Sequence, residues 1–110
     1  MEIKQLIAPE RVICLAEISS KKRLLEKIAQ LLAQGAGGIN HADIFNRLIE
    51  RERLGSTGLG HGVALPHGRI KDLEITVGAF IKLEKPTNFD STDGHPTDLL
   101  FALQIGRAHV

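Results

Sequence analysis

The sequence predicts an α/β fold, a three-layer α/β/α sandwich around a mixed, roughly four-stranded sheet in the order β-α-α-β-β-β. Three observations carry that reading. Two stretches of helical hydrophobic periodicity stand close together in the first half, at Lys21 to Gln34 and after Asn40. A strictly alternating run extends from Ile75 to Leu83, the period of a strand. An unbroken apolar run, Leu99 to Leu103, lies near the end. The chain has 110 residues, 43% hydrophobic and 25% charged, and forms one domain. At that length folding buries roughly 60–70% of the surface the unfolded chain exposes, enough for a single core. A large barrel or a two-lobed enzyme is excluded.

Each element follows from its own residues. Met1 to Ile7 forms a short helix or an edge segment, which Pro9 interrupts. Arg11 to Ala16 reads as a short buried strand. Ser19 and Ser20 suit an N-cap, and Leu24, Leu25, Ile28, Leu31 and Leu32 then recur along one helical face. Gly35, Gly37 and Gly38 end that helix. Asn40 caps a second helix, with Asp43 favouring its N-terminal dipole and Ile44, Phe45, Leu48 and Ile49 facing inward. That helix stops near Leu54-Gly55. Ser56 to Gly68 reads as a loop, a short strand at Val63 to Leu65, and a turn fixed by Pro66. Phe80, on the second face of the alternating strand, implies cover on both sides of the sheet. Lys85 to Pro96 is a polar loop, and Asp98 to Ile105 is the last strand. Two helices are too few to cover both faces, so the expected domain, residues 1–110, reads as lacking closing helices at its C-terminus.

Composition removes several functions. Fourteen Lys and Arg against thirteen Asp and Glu leave a net charge of +1, with none of the basic excess of a nucleic-acid binder. The four aromatics are all Phe, too few for a base-stacking platform. No apolar run approaches the ~20 residues that span a bilayer. Cys14, the single cysteine, reads as an inert buried thiol in a reducing cytoplasm.

Five of the eleven glycines fall between Gly55 and Gly68, and function is sought there. A P-loop needs a lysine directly after its last glycine, and none is present. A dinucleotide fingerprint needs G-x-G-x-x-G between strand and helix, whereas Gly58, Gly60 and Gly62 follow a helix. Leu65-Pro66-His67-Gly68 is different. Proline before a histidine and glycine after it present the imidazole in a fixed orientation, and a neutral imidazole offers a ring nitrogen as nucleophile. The bland reading is a turn histidine without a role. Arg51 has a planar fork of donors that suits a phosphoryl group, yet it sits in the run Glu50-Arg-Glu-Arg53, typical of solvated helix surface.

The segment from Arg51 to Gly68, RERLGSTGLGHGVALPHG, resembles the active-site signature of enzyme IIA components of the bacterial phosphotransferase system. The match is to the fructose/mannitol class, most nearly its nitrogen-regulatory branch, and it extends from about Val12 to Leu103 through Leu83 to Asp90 and Asp98 to Leu103. The resemblance implies a phosphoryl carrier in which His67 takes phosphate on its Nε2 side from an HPr-type phosphocarrier. It assigns Arg51 to stabilising the transferring group. Ser56, Thr57 and Gly68 match nearby positions expected to supply hydroxyl or amide donors. No cofactor or metal is required by that chemistry.

The resembled family carries a second active-site histidine after the last strand, followed by further helices. The surroundings of His109 do not fit that role. The alternatives are therefore a non-catalytic interaction module on the same fold with an incomplete pocket, and a small metal- or nucleotide-binding domain. His61 reads as a rim residue near the site, His41 as solvated, and His61, His95 and Cys14 are too scattered for a zinc site. Lys21, Lys22 and Arg23 are surface or part of a docking face. A second copy of the chain is a further expected partner; the downstream target leaves no motif.

Overall fold

A computed structural model describes residues 3–70 and 73–106 of the chain. A four-residue helix, α1 (Ile3–Leu6), and a 3-10 turn (Pro9–Arg11) lead into β1 (Val12–Ala16). Two helices follow, α2 (Lys21–Gly35) and α3 (His41–Arg53). Three very short strands come next, β2 (Gly58–Gly60), β3 (Val63–Ala64) and β4 (His67–Arg69). The chain then enters its two long strands, β5 (Val77–Thr87) and β6 (Thr97–Ile105). His109 lies outside the described residues.

The fold is mixed α/β. One sheet runs in the order β1-β5-β6-β3-β2, and β4 also pairs with β6. β5 and β6 are antiparallel, β1 is parallel to β5, and β3 and β4 are both parallel to β6. Among the described residues six strands stand where four were expected. The two additional ones, β2 and β4, occupy the stretch read as loop and turn. β2 is short because the chain reverses between β2 and β3 through Gly60, His61 and Gly62, at φ of 91°, 56° and 81°. Conversely, β5 runs on to Thr87 and takes up the start of the expected polar loop.

Both helices begin where their caps were expected. Ser20 Oγ accepts the Arg23 amide at 3.1 Å, and Asn40 Oδ1 accepts the Ala42 amide at 2.7 Å. Leu24, Leu25, Ile28, Leu31 and Leu32 of α2 are buried, as are Ile44 and Leu48 of α3. They pack on Val77, Ala79, Ile81 and Leu83 of β5 and on Leu100 and Ala102 of β6, the alternate residues of one sheet face. Full burial of each large aliphatic side chain contributes roughly 1.5–3 kcal/mol, so this layer dominates stability.

The opposite face is different. Phe80 pairs with Phe101 across β5 and β6, and both are half-buried, as are Leu99 and Leu103. At one end α1 sits against it, with Leu6 over Gly78.

β1 corrects an expectation. It was read as buried, yet Val12 is 37% and Leu15 65% exposed, and Cys14 is exposed rather than an inert buried thiol. β1 is an edge strand with β5 as its pairing partner, and its register shifts between Ile13 and Ala16 around Leu15 at φ 58°. The irregularity turns the apolar side chains of the middle outward, leaving Ile13 and Ala16 against the core.

Candidate functional site

His67 opens β4, an edge segment held to β6 with His67 opposite Leu103 and Gly68 opposite Gln104. Alternation along the strand then separates their roles. Gly68 points at the helix layer, where an added Cβ would lie 3.2 Å from Arg47 Cβ of α3. His67 points the other way, toward the half-exposed face, and is itself half-buried. The missing side chain at Gly68 is therefore what lets α3 approach β4 closely.

The orientation of the imidazole is fixed by its own local chain. Nδ1 lies 2.9 Å from the carbonyl oxygen of Leu65. A carbonyl oxygen only accepts, so Nδ1 carries a proton, and in the neutral form of the ring Nε2 is the nitrogen with the lone pair. Pro66, buried between them, limits the freedom of that turn. The bond ties the ring to its own backbone through Nδ1, and the tautomer it favours is the one whose unprotonated nitrogen is Nε2.

Arg51 stands one helical turn beyond Arg47, about 6 Å further along α3 and on the same face. Its Nη1 donates to the carbonyl of Gly55 at 2.8 Å, which ties the guanidinium to the loop after the helix. Among the described residues, Arg51 and His67 share no hydrogen bond. α3 and β4 are nevertheless direct neighbours.

Ser56 and Thr57, expected as phosphate donors, are engaged inside the protein. Ser56 Oγ donates to the Phe89 carbonyl at 2.7 Å and accepts the Gly58 amide at 3.0 Å. The Thr57 hydroxyl donates to Glu52, and its amide reaches the same carboxylate at 3.1 and 3.3 Å. A hydroxyl has one proton to donate, so neither side chain offers a donor to an incoming group while these bonds hold.

Glu52 is the residue that the charged run concealed. Glu50 and Arg53 are exposed as such runs usually are, but the Glu52 side chain is 6% exposed. Its partner is Lys21, at 2.8 Å, at the start of α2. Lys21 lies over the Phe89 ring, 4.7 Å from its centroid, and 3.4 Å from Asp90. Lys21 is thus a tie between α2, α3 and the 88–90 loop, with Lys22 and Arg23 beside it. A helical pattern shows which face a residue occupies; it does not show that a loop folds back to supply a carboxylate with donors.

His61 and His95 sit apart from His67. Asp93 accepts the His61 amide at 2.9 Å and the His95 amide at 3.0 Å. Those two amides, His61 first, hold its carboxyl below the ordinary carboxylate value. With Gly62 and Pro96 these residues line an open pocket of about 440 Å³. Gly62 is bonded to β6 at Asp98, whereas His67 pairs at Leu103. Five strand residues separate those points, roughly 16 Å. Among the described residues, no group of three or more His, Cys, Asp or Glu is arranged to hold a metal ion. None of the described helices is long and apolar enough to cross a membrane.

Comparison with known proteins gives a consistent result. Residues 5–109 match the family described as phosphoenolpyruvate-dependent sugar phosphotransferase system, EIIA 2. The chain is 42% identical over 103 residues to a nitrogen regulatory protein of Bradyrhizobium diazoefficiens, covering 94% of this chain and 67% of that protein. The crystal structure of nitrogen regulatory protein IIA-Ntr from Neisseria meningitidis matches with a TM-score of 0.91 and 42% identity, over 96% of this chain and 71% of that one. IIA mannitol from Escherichia coli matches with a TM-score of 0.77 over 94% of this chain and 74% of that one. At 20% identity that likeness is one of fold.

Proposed function

The chain belongs to the EIIA 2 family of the phosphoenolpyruvate-dependent sugar phosphotransferase system, and from that premise we propose that it is a phosphoryl carrier acting through His67. Its relatives named as nitrogen regulatory proteins support a regulatory role in the nitrogen branch. The donor in this reading is an HPr-type phosphocarrier, met in the cytoplasm.

The observation that carries the reading is the bond from His67 Nδ1 to the Leu65 carbonyl. It leaves Nε2 as the free nucleophile. The Nε2 lone pair attacks phosphorus, the new P–N bond forms, and the P–N bond to the donor imidazole breaks with its electron pair returning to the donor. No proton leaves His67 in this step. The Nδ1–H stays on Leu65, whose carbonyl dipole stabilises the positive charge that develops on the ring. Arg51 supplies the guanidinium that meets the charge on the phosphoryl oxygens. Ser56 and Thr57 serve by holding the loop, and reach the phosphoryl group only by exchanging their internal bonds. Gly68 serves by letting α3 close on β4.

Incubation with phosphoenolpyruvate, enzyme I and an HPr-type carrier tests this directly. An acid-labile phosphate on the wild type that disappears in His67→Ala supports the reading. No phosphate on the wild type sinks it and leaves the non-catalytic interaction module, to which the half-exposed sheet face is suited. Arg51→Ala slows transfer without unfolding the protein; an unaltered rate removes Arg51 from the mechanism.

A further inference from the structure

The Glu52 carboxylate is buried at the end of α3, with donors converging on it from two directions. The Thr57 amide and hydroxyl reach it from the loop, and the Lys21 ammonium reaches it from α2. A buried ion pair is a weak source of stability, because desolvation of the two charges offsets their attraction. What this one fixes is geometry.

Two short paths lead outward from Thr57, one through hydrogen bonds and one back along the chain to Gly55. On one, the Thr57 carbonyl accepts the Leu65 amide at 2.9 Å, and the Leu65 carbonyl accepts His67 Nδ1–H at 2.9 Å. On the other, Gly55, two residues before Thr57, accepts Arg51 Nη1 and donates its own amide to the Glu52 carbonyl at 3.1 Å. The carboxylate therefore anchors Thr57, from which the segment facing His67 Nδ1 is held by hydrogen bonds, while the Gly55 turn that holds the guanidinium is tied to the Glu52 backbone and joined to Thr57 by two residues of chain.

We propose that Glu52, held by Lys21, is a positioning residue for phosphoryl transfer: through Thr57 and Leu65 it fixes His67 as the Nδ1–H tautomer, and through the Gly55 turn it aims Arg51. This rests on the phosphoryl-carrier reading of His67. Glu52 touches no transferring atom. Its effect is preorganisation, and a displacement of about 1 Å at such a site costs up to roughly a hundredfold in rate.

The experiment uses the full chain and two readouts. The first is the imidazole nitrogen-15 spectrum of His67, which reports the tautomer. The second is the rate of phosphorylation by an HPr-type carrier over a range of donor concentrations. In folded Glu52→Ala the spectrum changes from Nδ1–H to a mixture of tautomers, and kcat falls roughly tenfold or more with KM for the donor little changed. Glu52→Gln keeps an acceptor for the Thr57 amide and loses the charge that pairs with Lys21, so its effect is intermediate. If Glu52→Ala does not fold, Glu52→Gln and Thr57→Val give the same reading on a smaller scale. A folded variant with an unchanged tautomer and an unchanged kcat overturns the proposal, whatever its loss of stability. A wild type that takes no phosphate removes the carrier reading alone. The tautomer comparison still decides whether Glu52 positions the ring.

Discussion

Two regions of this molecule are built on different principles. The layer formed by α2, α3 and the helix-facing residues of β5 and β6 is largely apolar, with Leu24, Ile28, Leu32, Ile81 and Leu100 fully buried and Gln104 a buried polar residue at its end. The stretch from Gly55 to Arg69 has few large side chains and is held by individual hydrogen bonds, to Glu52, Phe89 and Leu65 among others. Apolar packing is non-directional and tolerates small shifts; a hydrogen bond fixes an angle as well as a distance. The first region supplies stability and the second supplies orientation.

That division breaks if the two regions cannot be perturbed separately. The largest effect is expected from Leu100→Ala in the middle of β6. Deleting a fully buried side chain there costs roughly 2–5 kcal/mol, read as a shift in the midpoint of chemical denaturation. In the protein that remains folded, the imidazole spectrum of His67 stays that of the Nδ1–H tautomer. A changed tautomer would show that the apolar layer also sets the orientation of the His67 ring.

A smaller but more local effect is expected from Gly58→Ala. An added Cβ would lie 2.1 Å from Ser91 Oγ and 3.0 Å from Ser91 Cα, so the loop must shift. Overpacking of this kind costs roughly 1–3 kcal/mol. Because Gly58 follows Thr57, the shift reaches the bonds to Glu52 and lowers the phosphorylation rate by more than the stability loss explains. Adding Ser91→Gly recovers part of both. If the double variant is no better than the single one, the contact with Ser91 is not what excludes a side chain at position 58.

The same division explains what could be read from the sequence. α2 and α3 were legible with their caps because 3.6-residue periodicity and Ser20 and Asn40 are local signals. β5 and β6 were legible as strands for the same reason. β2 and β4 were not, because strands of three residues carry too little period and form here by pairing with β3 and β6. The exposure of Cys14 was missed because a run of apolar residues does not reveal a register shift at an edge. Within the site, His67 and Arg51 stood out by motif and chemistry. Glu52 did not, because its meaning comes from contacts five residues ahead at Thr57 and thirty-one residues back at Lys21. The donors of Ser56 and Thr57 were assigned outward for the same reason: a sequence shows that a hydroxyl exists and not where it points.

The smallest expected effect concerns the tip of the β2–β3 reversal, where His61 is exposed. Asp93 joins that tip to the loop before β6 by accepting the His61 and His95 amides. Its carboxyl is held below the ordinary value of 3.8, first by the His61 amide and then by that of His95. A depressed pKa in the folded state means that the contribution is complete above the ordinary carboxylate range and is lost as pH falls through the lowered value. The two amide proton shifts should therefore titrate together, with a shared midpoint below 3.8. Asp93→Asn abolishes that titration and leaves the His67 tautomer as it was, since the two sites bond to β6 at opposite ends of the strand. Separate midpoints, or a midpoint at or above the ordinary value, would show that Asp93 does not bridge the two loops. A His67 tautomer that follows the same titration would extend the hydrogen-bonded region from the hairpin tip to the His67 ring itself.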